Sequence, residues 1–236
     1  MQRCKMGGFI IAIDGPVASG KGTIAPLLAN RLNGFYLQTG AMYRSVALYC
    51  IKHSIDLTNK EAIIKHLPRI VIKFSNGRIL LNGEDVTDEI RQEKVAYASS
   101  TIATIPEVRA FLVKEQQQIA LKELEKDRVV VAEGRDTATK VFPDAKLKIF
   151  LTANPQVRAK RRQEQINKLI GKKVTFDEVL SEILKRDEQD KNRAIDPLVS
   201  DPKAHGYVIL DNSSQTERQT LEQIINLLKE RGLYHD

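Results

Sequence analysis

The residues Gly15-Pro-Val-Ala-Ser-Gly20-Lys21-Gly22-Thr23 have the types and order needed to hold a phosphate group. Glycines let a backbone wrap round an anion and aim its N–H groups inward. Lys21 adds a full positive charge. The strict pattern places Ser or Thr directly after the lysine; here Gly22 stands there and the hydroxyl follows at Thr23. Gly15, Pro16, Val17, Ala18, Ser19, Gly20, Lys21, Gly22 and Thr23 are therefore the candidate contacts to a nucleoside triphosphate. The alternative is a glycine-rich turn that binds nothing.

Glu133 ends the apolar run Val129-Val-Val-Ala132. Such an acid either orients a magnesium ion through water or is the surface end of a buried strand. Several arginines follow apolar runs or share a helix face. Arg44 follows Thr39-Gly-Ala-Met-Tyr43, and Arg135 lies in Glu133-Gly-Arg-Asp136. Arg158, Arg161 and Arg162 open a helical stretch, while Arg186, Asp190 and Arg193 recur at one-face spacing. Phosphoryl transfer needs such cations, because charge spreads over several oxygens that the protein must neutralise. Each arginine taken singly reads equally as a solvated surface ion pair, and Arg186 with Asp190 is one such pair.

The elements that must position these groups alternate between two periods. Phe9–Ile13, Phe35–Leu37, Val129–Ala132, Leu147–Leu151 and Val208–Leu210 are short β-branched or apolar runs, which predict strands. Between them fall helical stretches. Gly20–Arg31 places Ile24, Leu27, Leu28 and Leu32 on one face, and Ala41–Lys52 is a second helix. Pro106 suits the first position of a long helix to about Lys126, and Asn154-Pro155 is a cap and first-turn pair. Thr175 with Glu178 forms a capping box for a helix to about Arg193, and Ser214 with Glu217 caps the last one, with Leu221, Ile224, Ile225 and Leu228 on one face. Ile70–Phe74 and Arg78–Asn82, joined by Ser-Asn-Gly, predict a hairpin inside a small insert. The expected class is α/β, a parallel central sheet with helices on both faces.

Composition bounds the rest. The chain of 236 residues is 42% apolar and 28% charged, a balance typical of globular enzymes. No run reaches 18 apolar residues, so no membrane helix is expected. Residues 1–8 read as a disordered leader. Only Cys4 and Cys50 occur, which fits a reducing, cytoplasmic setting without a disulfide scaffold or zinc cluster. Cys50 and Met42 read as packing residues, and the four histidines show no ligand spacing.

The net charge of +7 implies polyanionic ligands, either nucleic acid or small phosphates. Residues 158–173 hold seven basic side chains against one acidic, Glu164, so a surplus of +6 sits there. That stretch has no aromatic residue for base stacking, which favours a lid over triphosphates above a nucleic-acid patch. RNA-recognition and zinc-finger signatures are missing, as is the Asn-Lys-x-Asp motif of guanine-binding GTPases.

Taken together the motifs resemble bacterial cytidylate kinases, over about Ile10 to Leu228. The resemblance rests on Ile13-Asp-Gly-Pro with Gly-Lys-Gly-Thr23, on Thr39-Gly-Ala-Met-Tyr-Arg44, and on Asn82-Gly-Glu-Asp-Val86 with Ile90-Arg91. It continues with Ser99-Ser100 and Pro106-x-Val-Arg109, Glu133-Gly-Arg-Asp136 with Val-Phe-Pro143, and Arg186-Asp with Asp190-Lys-Asn-Arg193. It implies a P-loop kinase that moves the γ-phosphate of ATP to CMP or dCMP with Mg²⁺, as a cytoplasmic monomer without nucleic-acid or membrane partners. The implied organisation is a core of residues 1–57, 104–154 and 176–236, a monophosphate-binding insert 58–103 and a lid 155–175. Ser100, Arg109 and Asp136 would read the cytosine. Arg186 and Asp190 would hold the sugar. Arg44, Arg135 and Arg193 would grip the acceptor phosphate, with Tyr43 packing beside the nucleotide and Thr39 a further substrate-binding residue. Lys21, Arg135, Arg158 and Arg162 would be the catalytic cations, Arg161 a further lid arginine, and Thr23 and Glu133 the magnesium residues. The sequence departs from the family at Thr39, Glu133, Ala18-Ser19 and Thr137-Ala-Thr139, where Ser, Asp, Gly-Ala and Met-Gly-Thr are usual.

Overall fold

A computed structural model describes residues 7–75, 77–170 and 174–235. The suggested leader lies almost wholly outside these residues, as do Lys172 and Lys173 of the basic stretch. The chain forms two compact units, one of residues 1–37 and 119–236, the other of residues 38–118.

The first unit is built on β1 (Ile10–Asp14), β2 (Phe35–Gln38), β6 (Val130–Gly134), β7 (Leu147–Thr152) and β8 (Val208–Asp211). They form a five-stranded sheet in the order β2-β6-β1-β7-β8. β1 runs parallel to β6 and β7, and β7 parallel to β8, with Ala12 opposite Ala132 and Ile13 opposite Ile149. Strand order therefore reverses at β1, and the loop leaving its carboxyl end lies where open α/β sheets bind ligands.

Alternation along β1 divides the core. Ile11 and Ile13 join Val131, Leu147, Ile149, Leu151 and Leu210 on the face covered by α1 (Lys21–Arg31) and α8 (Glu217–Glu230). Those helices contribute Ile24, Ala25, Leu28, Ile224, Ile225 and Leu228, all buried. Leu27, expected on the same face of α1, is instead 39% exposed. On the other face Ala12 meets Ala138 and Tyr207. Ala138 belongs to a single π-helical turn, Thr137–Val141, that follows β6. α6 (Pro155–Ile170) and α7 (Phe176–Asn192) complete the unit, with Ala159 of α6 packed on Val179 and Ile183 of α7.

The expected caps form at Asn154, whose Oδ1 accepts from the Gln156 N–H, and at Thr175 with Glu178. The cap expected at Ser214 is corrected: the box is Thr216 with Gln219, two residues later. Glutamine closes the reciprocal bond as well as glutamate does, so the pattern Thr-x-x-Gln competed with Ser-x-x-Glu in the sequence.

The second unit holds α2 (Thr39–Lys52), α3 (Lys60–His66), a three-stranded sheet, α4 (Glu93–Ile102) and the start of α5 (Pro106–Leu124). Its antiparallel strands are β3 (Ile72–Ser75), β4 (Arg78–Leu81) and β5 (Glu84–Asp85). Asn82 and Gly83 both take positive φ, 49° and 90°, as the tight turn from β4 to β5 requires. Met42 and Cys50 are fully buried, and burial pushes the Cys50 thiol up to about 11, consistent with packing roles.

Candidate active site

The loop between β1 and α1 has the backbone of an anion cradle. Gly15 has φ 152°, and a Cβ there would sit 2.0 Å from the Leu151 carbonyl oxygen. Glycine is thus obligatory where the loop passes β7. Gly20 caps α1 with φ 96°, and Ala18 takes φ 56°, a left-handed conformation that favours glycine. The Thr23 and Ile24 N–H groups both donate to the Gly20 carbonyl, starting the helix directly behind the loop.

Lys21 is buried at 4% exposure. Its ammonium donates to the carbonyls of Gly15 at 2.8 Å and Pro16 at 2.7 Å and to Ser19 Oγ at 3.2 Å. Burial, then the nearby charge of Arg135, lower its pKa to about 7, against opposing pulls from Glu133, Asp14 and Asp190. A phosphate here would replace carbonyl dipoles with full negative charge and favour the ammonium form.

The loop is braced by Asn212 and Asp187, to which the sequence motifs assigned no role, and by two of the expected lid arginines. Asn212, beyond β8, donates from Nδ2 to the Ser19 carbonyl at 3.0 Å. Arg161 in turn donates to Asn212 Oδ1 at 2.9 Å and to its carbonyl at 2.7 Å. Asp187 accepts from the Val17 N–H at 3.1 Å and pairs with Arg158 at 2.7 Å. Arg158 also donates to the carbonyls of Val17 and Ala153, at 2.8 and 2.9 Å, and is 3% exposed. Two of the three arginines expected over ATP thus fasten the first turns of α6 to the loop. Arg162 is exposed and donates to Gln165 on its own helix.

At the end of β6, Glu133 is 7% exposed and accepts from the Tyr36 hydroxyl at 3.3 Å. Next to it the expected substrate residues of this unit interlock. Arg135 Nε donates to Asp190 at 2.6 Å, and Arg193 lies 3.5 Å from the Asp136 carboxylate. Arg193 also donates to the Asp196 carbonyl. Burial alone would lower the Arg135 pKa, but Asp190 with Glu133 and Asp187 raises it. Burial alone would raise that of Asp190, but Arg135, Arg193 and Arg186 hold it below the ordinary carboxylate value. The result is an alternating set of fixed charges from β6 and α7, able to hold a polar anion from several sides.

The second unit carries the other predicted residues. Thr39, first in α2, is buried, and one turn on Tyr43 and Arg44 are partly exposed. The Arg109 guanidinium lies 5.5 Å from the Tyr43 ring centre and donates to the Ala103 carbonyl at 3.2 Å. Ser100 Oγ donates to the Ala96 carbonyl at 3.4 Å within α4. An arginine stacked on a tyrosine, with a hydroxyl on the neighbouring helix, suits a planar heterocycle with acceptor atoms.

No group of three or more His, Cys, Asp or Glu among the described residues could hold a metal ion alone. Thr23 and Glu133 are hard oxygen donors, and Thr23 is exposed at the first turn of α1. That donor chemistry fits a magnesium ion brought in on triphosphate oxygens, which needs few protein ligands.

A parallel sheet with its order reversing at β1 and a Gly-x-x-x-x-Gly-Lys loop at that point define a P-loop kinase. The cytidylate kinase family model matches residues 11–230. The chain is 44% identical to a cytidylate kinase of Thermosipho melanesiensis over 94% of its own length and 97% of the relative's. It is 42% identical to a cytidylate kinase of Neisseria meningitidis serogroup C, with the same coverages. A solved uncharacterized protein from Eubacterium ventriosum shares the fold at TM-score 0.52 and 14% identity, covering 94% of this chain and 98% of that one. The chain belongs to the cytidylate kinase family and is an enzyme of the kinase class.

Proposed function

We propose that this protein transfers the γ-phosphate of ATP to CMP or dCMP, giving CDP or dCDP and ADP. The observation that carries this reading is the buried Lys21, set in a glycine-shaped loop beside the Arg135–Asp190 and Asp136–Arg193 pairs. The loop residues Gly15 to Thr23 take the ATP phosphates. Ser100, Arg109 and Asp136 read the cytosine: a carboxylate accepts from its exocyclic amine, and a guanidinium or hydroxyl donates to its N3 and O2. Arg186 and Asp190 bind the sugar. Arg44, Arg135 and Arg193 hold the acceptor phosphate, with Thr39 and Tyr43 alongside.

The acceptor phosphate's second pKa is about 6, so it is already a nucleophilic anion at neutral pH and no general base is needed. Its oxygen attacks the γ-phosphorus in line, and ADP leaves on the opposite side. Lys21, Arg135 and Arg162 offset the charge that develops on the equatorial and leaving oxygens. Arg158 joins them only by exchanging Asp187 for phosphate. Thr23, and Glu133 through water, would hold Mg²⁺, which when bound would supply positive charge against the triphosphate.

Residues 155–175 serve as a lid in this reading, 58–103 as the monophosphate-binding insert and the rest as the core. The anchoring of Arg158 and Arg161 supports movement beginning at Arg162. The enzyme acts as a cytoplasmic monomer. No helix among the described residues is long and apolar enough to cross a membrane. A coupled assay with Mg-ATP against CMP, dCMP, UMP and AMP tests the proposal. CMP or dCMP is expected to outrun the others by kcat/KM, and faster turnover of UMP or AMP would overturn it.

A further inference from the structure

Asp14 ends β1, is fully buried, and is not used by the chemistry above. Its carboxylate accepts from the N–H of Thr137 at 2.9 Å and of Ala138 at 2.7 Å. A third donor is the Tyr207 hydroxyl, at 2.7 Å. The first two N–H groups open the π-helical turn Thr137–Val141, whose cap is Asp136. Both N–H groups are buried together with the carboxylate, so their dipoles meet its charge away from water. The same turn is closed by the Asp136 carbonyl, which accepts from Lys140 N at 2.8 Å and Thr139 Oγ1 at 3.3 Å. Asp136 is therefore held from the residue that follows it, and the holding group is Asp14.

Tyr207 lies on the opposite side of this anchor from Asp136 in the hydrogen-bond chain. It is 6% exposed, packs against Ala12 and Ala138, and meets the Phe150 ring edge-on with centres 5.9 Å apart. Its hydroxyl is thus fixed, and a carboxylate with three rigid donors has little freedom to tilt. The adjoining phosphate loop has separate braces in Asn212, Asp187 and Arg158. Loss of the Tyr207 hydroxyl should loosen the Asp136 turn more than the loop that takes ATP.

We propose that Asp14 and Tyr207 are positioning residues for base recognition: together they lock the Thr137–Ala138 turn that presents Asp136 to the cytosine. This rests on the reading of the chain as a CMP kinase. The test is Tyr207→Phe, with KM and kcat measured separately for CMP and ATP. Removing one hydrogen bond to a buried carboxylate should raise the KM for CMP about tenfold and lower the CMP-to-UMP preference. The KM for ATP and kcat should stay within about twofold of the parent. Equal effects on both substrates, or a lowered melting temperature with both KM values unchanged, would overturn it. A parent enzyme that does not phosphorylate CMP defeats the functional reading instead, which separates the two failures. Amide exchange in the parent protein gives a check that needs no variant. The Thr137 and Ala138 amides should be strongly protected and become more so when CMP is added. Fast exchange at both would equally sink the clamp.

Discussion

Lys21 shows how a single residue can carry both stability and function. Its pKa of about 7 in the fold lies below the ordinary lysine value of 10.5, with burial the main cause. Between those two values the unfolded chain keeps a proton that the folded protein has shed. Stability therefore rises with pH across that window, and the contribution is lost as pH falls towards 7. Denaturant titrations from pH 7 to 10 should show this rise, and Lys21→Met should flatten it. ATP favours the charged form, so binding near pH 8 should draw a proton from solution. Calorimetry in buffers of different ionisation enthalpy measures that uptake directly. In turnover, Lys21→Ala should lower kcat by at least about a hundredfold, the usual cost of removing a group that stabilises transition-state charge. Near-normal turnover would refute its assignment.

Among the elements, α6 and α7 matter most, because they bring Arg158 and Asp187 together against the phosphate loop. Both side chains are buried, so removing one leaves an uncompensated charge, a loss of about 3–5 kcal/mol. Asp187→Ala should therefore lower the melting temperature by about 10 °C, given about 2–4 °C per kcal/mol at this size. The double variant Arg158→Met with Asp187→Ala should recover a large part of that loss, because no lone charge remains. Additive losses in a thermal-melt cycle would mean that the pair does not act as a unit. Arg162 offers the contrast: it is exposed, so Arg162→Ala should leave the melting temperature unchanged and slow turnover.

For the whole molecule, the charge of +7 has two possible meanings, and the structure bears on them by committing several of the candidate arginines to partners inside the fold. Arg135, Arg158, Arg161 and Arg193 are engaged with Asp190, Asp187, Asn212 and Asp136. Cations held in this way are not free to track a phosphate backbone. Binding to duplex DNA at 0.15 M salt should be weak, whereas ATP should raise the melting temperature by mass action. Fluorescence anisotropy and a thermal-shift titration measure the two. Tight, salt-sensitive DNA binding would favour the other meaning.

The sequence alone determined the strands β1, β2, β6, β7 and β8, the long helices and the glycine-lysine loop. These follow from local signals: β-branched runs, helical spacing, caps and a backbone pattern only glycine satisfies. It also nominated Arg135, Asp190 and Arg193, because spacing puts residues on one helix face or at one strand end, and Asp136 through the family resemblance. Tertiary structure alone decided their partners. Asp14 and Tyr207 are 193 residues apart, Arg161 and Asn212 51 apart, and Val17 and Asp187 170 apart. No periodicity links residues so distant. Only the parallel sheet, which sets β1 between β6 and β7, brings a strand end, a turn and two helices to one place. Within the insert, α3 is capped by Asn59, a local signal, whereas the π-helical turn forms where its first two N–H groups meet Asp14, a partner that no local pattern shows. Whether an arginine was a surface charge or a buried brace depended on the carboxylate that reached it, and that is decided by the fold.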